Sequence, residues 1–488
     1  MAIKIILLVL FFGVMIFIGF WSRRHATNVN DYVLGGRTVG PWLTAFAYGT
    51  SYFSAVVFVG YAGQFGWKYG IAATWAGIGN AILGSLLAWA VLGRRTRVMS
   101  QHLDSATMPQ FFENRYQSKS LKLASSAVIF IFLIPYTASL YNGLSRLFGM
   151  AFNIDYSVCV IAMAVLTAVY VIAGGYMATA INDFIQGLIM IVGILAVIFV
   201  VLKNQGGLME AVDKMSQVTD PEMGAGVGSF SSFFGPDPMG LLGVVLLTSL
   251  GTWGLPQMVQ KFYAIKSEKA INKGMIISTI FALVVAGGCY FLGGFGRLFS
   301  DQIDIAAGGY DSIIPTMLSG LPTILIAVVV VLVLSASMST LSGLVLASSS
   351  TLTLDFIKGT VVKDLSQKKQ LLIMRILIGV FIAISVVIAI VQYKSNVTFI
   401  AQLMGVSWGA LAGAFLAPFL YGLYWKRATA LSVWASFLFS SVVMIGNIFF
   451  GDYFPAIIRS PINAGAFCMF AGLVIVPVVS LVSKPPKA

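Results

Sequence analysis

The chain has 488 residues, 58% of them hydrophobic and only 10% charged. Soluble domains carry about a quarter charged residues, so this composition excludes a water-soluble enzyme or binding module and points to one polytopic membrane domain over 1–488. The net charge of +13 is no argument for nucleic acid, because the basic residues of a membrane protein gather in its cytoplasmic loops.

In chain order, thirteen segments are long enough to cross a hydrocarbon core. They are 3–22, 42–67, 71–93, 121–149, 155–174, 178–202, 239–263, 274–299, 321–355, 371–393, 397–424, 429–450 and 462–482. No small-residue cleavage site follows the first, "IKIILLVLFFGVMIFIGFW", which reads as a retained helix rather than a signal peptide. If the N-terminus is outside, alternate loops collect 22 of the 30 Lys and Arg residues, among them Arg37, Arg94, Arg97, Lys261, Lys266, Lys369 and Arg427. The opposite loops hold most of the acids, including Glu210, Asp213, Asp220, Asp301 and Asp311. An odd number of spans with this asymmetry predicts a cell-membrane protein with its N-terminus outside and its C-terminus in the cytoplasm.

Two spans are interrupted. "TAFAYGTSYFSAVVFVG" (44–60) carries Gly49, Thr50, Ser51, Tyr52 and Ser54 within its apolar run. "LLTSLGTWGLPQMVQKF" (246–262) carries Gly251, Gly254 and Pro256. Proline removes an amide donor and clashes with the preceding turn, and a broken helix at membrane depth is tolerated only within protein or beside a water-filled cavity. The two lie five spans apart, an odd offset, so they enter from opposite sides. An inverted repeat of five plus five helices with binding near the midplane requires that arrangement. The repeats would be 42–202 and 239–424, with an extra N-terminal helix at 3–22 and two C-terminal helices at 429–482. Between the repeats, 203–238 is rich in Gly, Ser and Pro and predicts a short helix followed by irregular chain.

Further along, "LSASMSTLSGLVLASSSTLTLDFI" (334–357) packs ten hydroxyls into a span. Ser and Thr can bond back to their own helix, but ten is many. Cys159, Cys289 and Cys468 sit in apolar runs at no metal-like spacing, and His25 and His102 are isolated. No nucleophile–base pair, metal-ligand cluster or phosphate-cradling loop is present, which speaks against an enzyme, and no obligate protein partner is evident.

Five stretches together resemble the sodium/solute symporter family: "DYVLGGRTVGPWLTAFAYGTSYFSA" (31–55), "AGGYMATAINDFIQG" (173–187), "GLPQMVQKFYAIKS" (254–267), "SASMSTLSGLVLASSS" (335–350) and "GAFLAPFLYGLYWKRAT" (413–429). The likeness runs over nearly the whole chain and is nearest the proline and pantothenate branch. It implies an all-α fold with a LeuT-type inverted-repeat core, and sodium-coupled import of a small organic solute by alternating access, with Na+ as the coupling ion.

The resemblance also implies site residues. Ala336, Ser339 and Thr340 share one helix face at i, i+3 and i+4. They match the family's sodium motif, a carbonyl and two hydroxyl oxygens, with the carbonyls of Thr50 and Phe53 at the break in the first core helix as counterpart. The competing reading, hydroxyls bonded to their own helix, is expected for several of Ser348, Ser349, Ser350 and Thr353. Asp183 matches an acid on the inward route of the ion, with structural pairing to loop cations as the alternative; an acid in a span is usually functional or paired. Solute contacts are expected from Ser51, Tyr52 and Ser54, from Thr248, Thr252 and Trp253, and from Tyr136, whereas Trp408 either caps the pocket or packs. Proline symporters carry an acid at the place of Tyr52 and aromatics at Thr248 and Thr252, and pantothenate members carry Tyr at the first of these, so a wider, more polar pocket is implied. Broken-helix N-termini suit a carboxylate. A sugar or other solute of the same fold is the nearer alternative, and a transporter-like receptor or channel the further one.

Overall fold

The computed structural model describes residues 2–152, 154–358, 360–362, 364–395 and 400–485, without the side chains of His25, Tyr52, Ala307, Ser395 and Ala401. Among these residues the regular structure is helical, with isolated bridges in place of any sheet.

The helix α1 is Ala2–Ser22. It buries Phe11, Met15, Ile18 and Gly19 and exposes Ile6, Val9, Leu10 and Phe17. Apolar side chains left outside at this spacing suit lipid rather than water. The first interrupted span is α2, made of Pro41–Tyr52 and a second half through Tyr69. Between the halves Phe53 is extended, at φ −83° and ψ 115°. Next, α3 runs from Gly70 to His102, a short helix Met108–Tyr116 follows, and α4 is Lys119–Phe152 with Pro135 inside it.

Two of the expected spans are joined without a loop. Tyr156–Asn204 is helical for 49 residues, which at 1.5 Å per residue is roughly 70 Å, more than twice a hydrocarbon core. Gly175 divides it, with φ +56° and ψ −147° and the Tyr32 ring and carbonyl packed where a side chain would project. The two parts are α5 (156–174) and α6 (176–204). The loop beyond them forms the helix Leu208–Gln217 and then turns, as the sequence predicts.

The second interrupted span, α7, consists of Pro238–Trp253 and Pro256–Ala264 bent by 43°. The remaining spans are α8 (Glu268–Gly293), α9 (Thr323–Ile357), α10 (Gln367–Ser395), α11 (Ile400–Tyr424), α12 (Ala430–Phe450) and α13 (Pro461–Val482). The expected start of α11 at 397 lies outside the described residues, and α8 begins six residues before its expected 274. Among the described residues ten helices are long and apolar enough to cross a membrane, eleven with the bent α7 counted as one span. The sequence predicts thirteen; two of the ten, Val56–His102 and Tyr156–Asn204, each hold a break where two spans were expected, at Gly70 (φ +64°) and Gly175 (φ +56°).

The chain segments flanking α2 and α7 meet. Val39, just before α2, accepts from the Lys266 amide at 2.9 Å and donates to the Ala264 carbonyl at 3.2 Å, just after α7. The start of one broken helix therefore lies beside the end of the other, so the two run in opposite directions. At the same end Arg37 donates to the carbonyls of Ser105 (2.7 Å) and Tyr263 (3.3 Å), and Arg97 donates to that of Ile265 (2.5 Å). At the centre of the bundle is α9, where every residue from Leu332 to Thr351 is buried. A helix covered on all sides is core, so its hydroxyls face protein, and the question is which atoms.

Candidate functional site

Nine hydroxyls of α9 fall into three groups. Ser342, Ser349 and Ser350 bond back to the carbonyls of Ser339, Leu346 and Ala347. Ser335, Ser337, Ser348 and Thr353 hold buried oxygens without a hydrogen-bond partner, so the back-bonding expected of Ser348 and Thr353 is absent. Ser339 and Thr340 reach across to α2. The Thr340 hydroxyl lies 3.0 Å from the Thr50 carbonyl oxygen, 3.2 Å from that of Phe53 and 3.1 Å from that of Ala336. The Ser339 hydroxyl lies 3.3 Å from the Thr50 carbonyl and 3.2 Å from that of Ala336.

The five oxygens named from the sequence are thus gathered at one point, all on wholly buried residues. The extended Phe53 interrupts the α2 ladder and turns carbonyls outward, and those of Thr50 and Phe53 reach α9. Two hydroxyls supply two hydrogens to three carbonyl oxygens, so the cluster carries more lone pairs than donors. Crowded lone pairs favour a small hard cation, for which neutral oxygens are ordinary ligands. No group of three or more His, Cys, Asp or Glu side chains that could hold a metal exists among the described residues.

Beside this cluster, Ser51 donates back to Ala47 at 2.5 Å and faces Gly343 of α9. The backbone of Tyr52 ends the first half of α2, and its side chain lies outside the described residues. Ser54 accepts from the Val56 amide at 3.2 Å, at the start of the second half.

A second constellation forms around Tyr136, immediately after the Pro135 kink of α4. The Tyr136 and Trp408 rings meet edge to face at 6.0 Å, and Ser54 and Tyr61 of α2 lie beside the Tyr136 hydroxyl. Gly251, at the break of α7, packs against the Trp408 ring so closely that an added side chain would lie 2.7 Å from it. The Tyr61 and Tyr136 hydroxyls and the Trp408 indole nitrogen are all buried and make no close, well-aligned hydrogen bond, although Ser54 and Trp408 approach the Tyr136 hydroxyl. These three donors lie between the two broken helices, with Trp408 next to the α7 break, and nothing in the sequence singled out Tyr61.

The other residues expected on α7 are directed elsewhere. Thr248 bonds back to the Val244 carbonyl (2.8 Å). Thr252 donates toward the Gly84 and Ser249 carbonyls (3.0 and 2.9 Å), and the Trp253 indole donates to the Leu83 carbonyl (2.8 Å). These contacts fasten the α7 break to α3 and leave the Thr252 and Trp253 donors engaged with backbone.

Asp183 on α6 is 1% exposed and Lys261 on α7 is 2% exposed, with the Lys261 ammonium 4.0 Å from Asp183 Oδ2. Counting Lys261 among the cytoplasmic loop cations is therefore corrected: it is a buried residue of the second half of α7. It also lies over the Tyr176 ring at 5.0 Å. Neither Asp183 oxygen has a hydrogen-bond partner, and the nearby chain leaves Tyr176 Oη, Asn182 Oδ1, Gln186 Oε1 and both Gln257 amide atoms equally unsatisfied.

The family model described as "Sodium:solute symporter family" matches residues 32–439. Sodium/proline symporters of Staphylococcus aureus strains JH9 and JH1 are each 30% identical to this chain over 450 residues, covering 90% of it and 85% of the relative. Among solved structures, a Na+-coupled sialic acid symporter in a substrate-bound outward-open state superposes with a TM-score of 0.78 over 99% of both chains at 18% identity. A manganese transporter of Eremococcus coleocola superposes with a TM-score of 0.52 at 13% identity, over 91% of this chain and 94% of the other.

Proposed function

Because the chain belongs to the sodium:solute symporter family, we propose that its cargo is a small carboxylate-bearing organic solute of the amino-acid or monocarboxylate class, taken up between the breaks of α2 and α7. The protein is a transporter with a LeuT-type fold, not an enzyme, and it couples solute movement to sodium. The observation that carries the choice of site is the convergence of buried Tyr61, Tyr136 and Trp408 donors on the space beside Ser54. The choice of solute is supported by the sodium/proline symporters at 30% identity and by the donors themselves. Hydroxyl and indole N–H groups are donors, which pair readily with an anionic group.

In this reading sodium sits between the Thr50, Phe53 and Ala336 carbonyls and the Ser339 and Thr340 hydroxyls. Ion binding joins the broken half of α2 to α9, ordering the break that the solute contacts. The two affinities rise together, and linkage makes the effect reciprocal. Asp183 and Lys261 take part in ion release: a sodium ion leaving toward Asp183 displaces the ammonium, and the ammonium returns when the ion departs. The N-terminus lies outside and the end bearing Arg37 and Arg97 lies in the cytoplasm. Each elementary charge moved inward then gains about 2.3 kcal/mol per 100 mV, which makes import of a neutral solute electrogenic. Two five-helix repeats, 42–202 and 239–424, carry the exchange of access.

Uptake into proteoliposomes tests the solute. A panel of proline, pantothenate, short monocarboxylates, sialic acid and neutral sugars is offered with an inward sodium gradient, then with potassium replacing sodium. Saturable, sodium-dependent uptake confined to carboxylate-bearing solutes is the expected result. Sodium-dependent uptake of neutral sugars alone would overturn the assignment of solute class while leaving the family intact.

A further inference from the structure

At the basic end of the bundle, away from the ion and solute sites, a cavity of about 1160 Å³ opens between the end of α3, the helix Met108–Tyr116, the α11–α12 turn and the chain leaving α13. Among the described residues five cations line it, Arg95, Arg115, Lys426, Arg427 and Lys484, and no Asp or Glu does. Neighbouring acids are already engaged: Glu113 with Lys122 and Glu268 with Arg94, each at 2.5 Å.

The cations are held in place by groups that leave their charge standing. Arg115 donates to the carbonyls of Gly422 (2.8 Å) and Trp425 (2.9 Å). Arg427 donates to those of Leu481 and Ser483, both at 3.1 Å, and its Nη1 is buried with no partner. Arg95 stacks on the Tyr424 ring at 4.5 Å. Carbonyls and rings orient a guanidinium but contribute no formal negative charge. The rim toward the bilayer is apolar, with Leu431 60% exposed and Leu481 62% exposed.

We propose that this cavity binds the phosphate headgroup of an anionic phospholipid, whose acyl chains follow Leu431 and Leu481 along α12 and α13. A basic pocket between spans at the membrane surface suits such a headgroup. The aromatic side chains of Tyr424 and Trp425 sit where interfacial aromatics are favoured. Free inorganic phosphate shares the charge chemistry but has no use for the apolar rim, and the rim is what selects lipid.

The test uses the purified full chain and reads both thermal stability and retained lipid by native mass spectrometry, with phosphatidylglycerol, phosphatidylcholine and inorganic phosphate as probes. Lys426 and Lys484 are exposed, so the double variant Lys426→Gln with Lys484→Gln changes charge with little risk to folding, which an unchanged sodium-dependent stability shift verifies. The expected result is phosphatidylglycerol retained and stabilising in wild type, phosphatidylcholine not, and affinity reduced roughly tenfold in the double variant. Arg427→Gln should lower it further, and Arg427→Lys should recover part. Equal retention of both lipids, wild-type affinity in the double variant, or full reproduction of the effect by inorganic phosphate alone would each overturn the proposal.

Discussion

Lys261 holds its ammonium 4.0 Å from the Asp183 carboxylate, and both side chains are at most 2% exposed. The gap is too wide for a hydrogen bond, so the carboxylate is neutralised without being saturated. An acid arranged in this way can exchange one cation for another. Asp183→Asn should slow turnover strongly while changing equilibrium sodium affinity little, because it removes the stepping stone rather than the site. Lys261→Met leaves a buried carboxylate uncompensated, which is costly, and should trap sodium or destabilise the fold. The comparison is between steady-state uptake and sodium-induced thermal shift. Uptake unchanged in Asp183→Asn, with stability lowered, would make the pair purely structural.

The ion cluster gives a comparison of isosteres. Thr340→Val keeps the shape and removes one oxygen of the five, and Ser339→Ala removes another. A lost bond to a charged group costs on the order of 1.5–3 kcal/mol, roughly a tenfold to hundredfold loss of sodium affinity. Thr340→Ser keeps the oxygen and should lose little. Half-saturating sodium for uptake measures all three. Wild-type values in Thr340→Val and Ser339→Ala would mean that the hydroxyls serve only the backbone.

Removing a single donor at the solute site should act on solute and spare sodium. Tyr136→Phe deletes a buried hydroxyl that makes no close, well-aligned protein hydrogen bond, so the free protein should lose little stability, whereas solute affinity should fall roughly tenfold. Trp408→Phe should also loosen the packing against Gly251. Binding isotherms for solute, beside melting curves without it, separate the two effects. A stability loss in Tyr136→Phe with solute affinity intact would count against the site.

The acidic end has its own staple. Arg297 donates to Asp220 Oδ2 at 2.8 Å and to the Trp67 carbonyl at 2.6 Å, and its guanidinium lies 4.0 Å from the Phe230 ring centre. Burial alone would raise the Asp220 carboxyl, but the Arg297 hydrogen bond, the Met223 and Glu222 amides and the Arg297 charge together hold it below the ordinary carboxylate range. The folded value lies below the unfolded one of about 3.9. The staple's contribution is therefore full above that pH and is lost as pH falls through the folded value. Asp220→Asn should cost about 1–3 kcal/mol at neutral pH and should flatten the acid limb of a stability–pH curve.

Orientation is open to labelling, since the native cysteines are all buried. Gln101 and Glu222 are exposed and are the positions to use. In intact cells an impermeant thiol reagent should modify Glu222→Cys and leave Gln101→Cys untouched until the membrane is opened. The reverse pattern would invert the topology.

Much of the architecture could be read before any coordinates. Hydropathy reports span length directly, and the breaks at Phe53 and around Gly254 announce themselves through Gly, Pro and hydroxyl residues in apolar runs. The oxygen cluster was named by the family resemblance, to which helical spacing adds only that Ala336, Ser339 and Thr340 share one face. The α5–α6 break at Gly175 also falls in the gap between the expected spans 155–174 and 178–202. Two other features were not legible. Lys261 lies in a short helix near a basic loop, and only packing tells a buried ammonium from a solvated one. Tyr61 looks like any aromatic in an apolar helix until its hydroxyl proves to have no partner. For the same reason Thr252 and Trp253 suited a solute pocket in sequence, although their donors go to the carbonyls of α3.

The short backbone pairing at Val39 has a mechanical consequence. Two hydrogen bonds, to Ala264 and from Lys266, tie the entry of α2 to the exit of α7, much as a crossbar joins two levers. One half-helix cannot swing alone at that end without breaking the crossbar, so the first half of α2, which ends in Thr50, Ser51 and Tyr52, and the second half of α7, which carries Lys261, are geared to move as one piece.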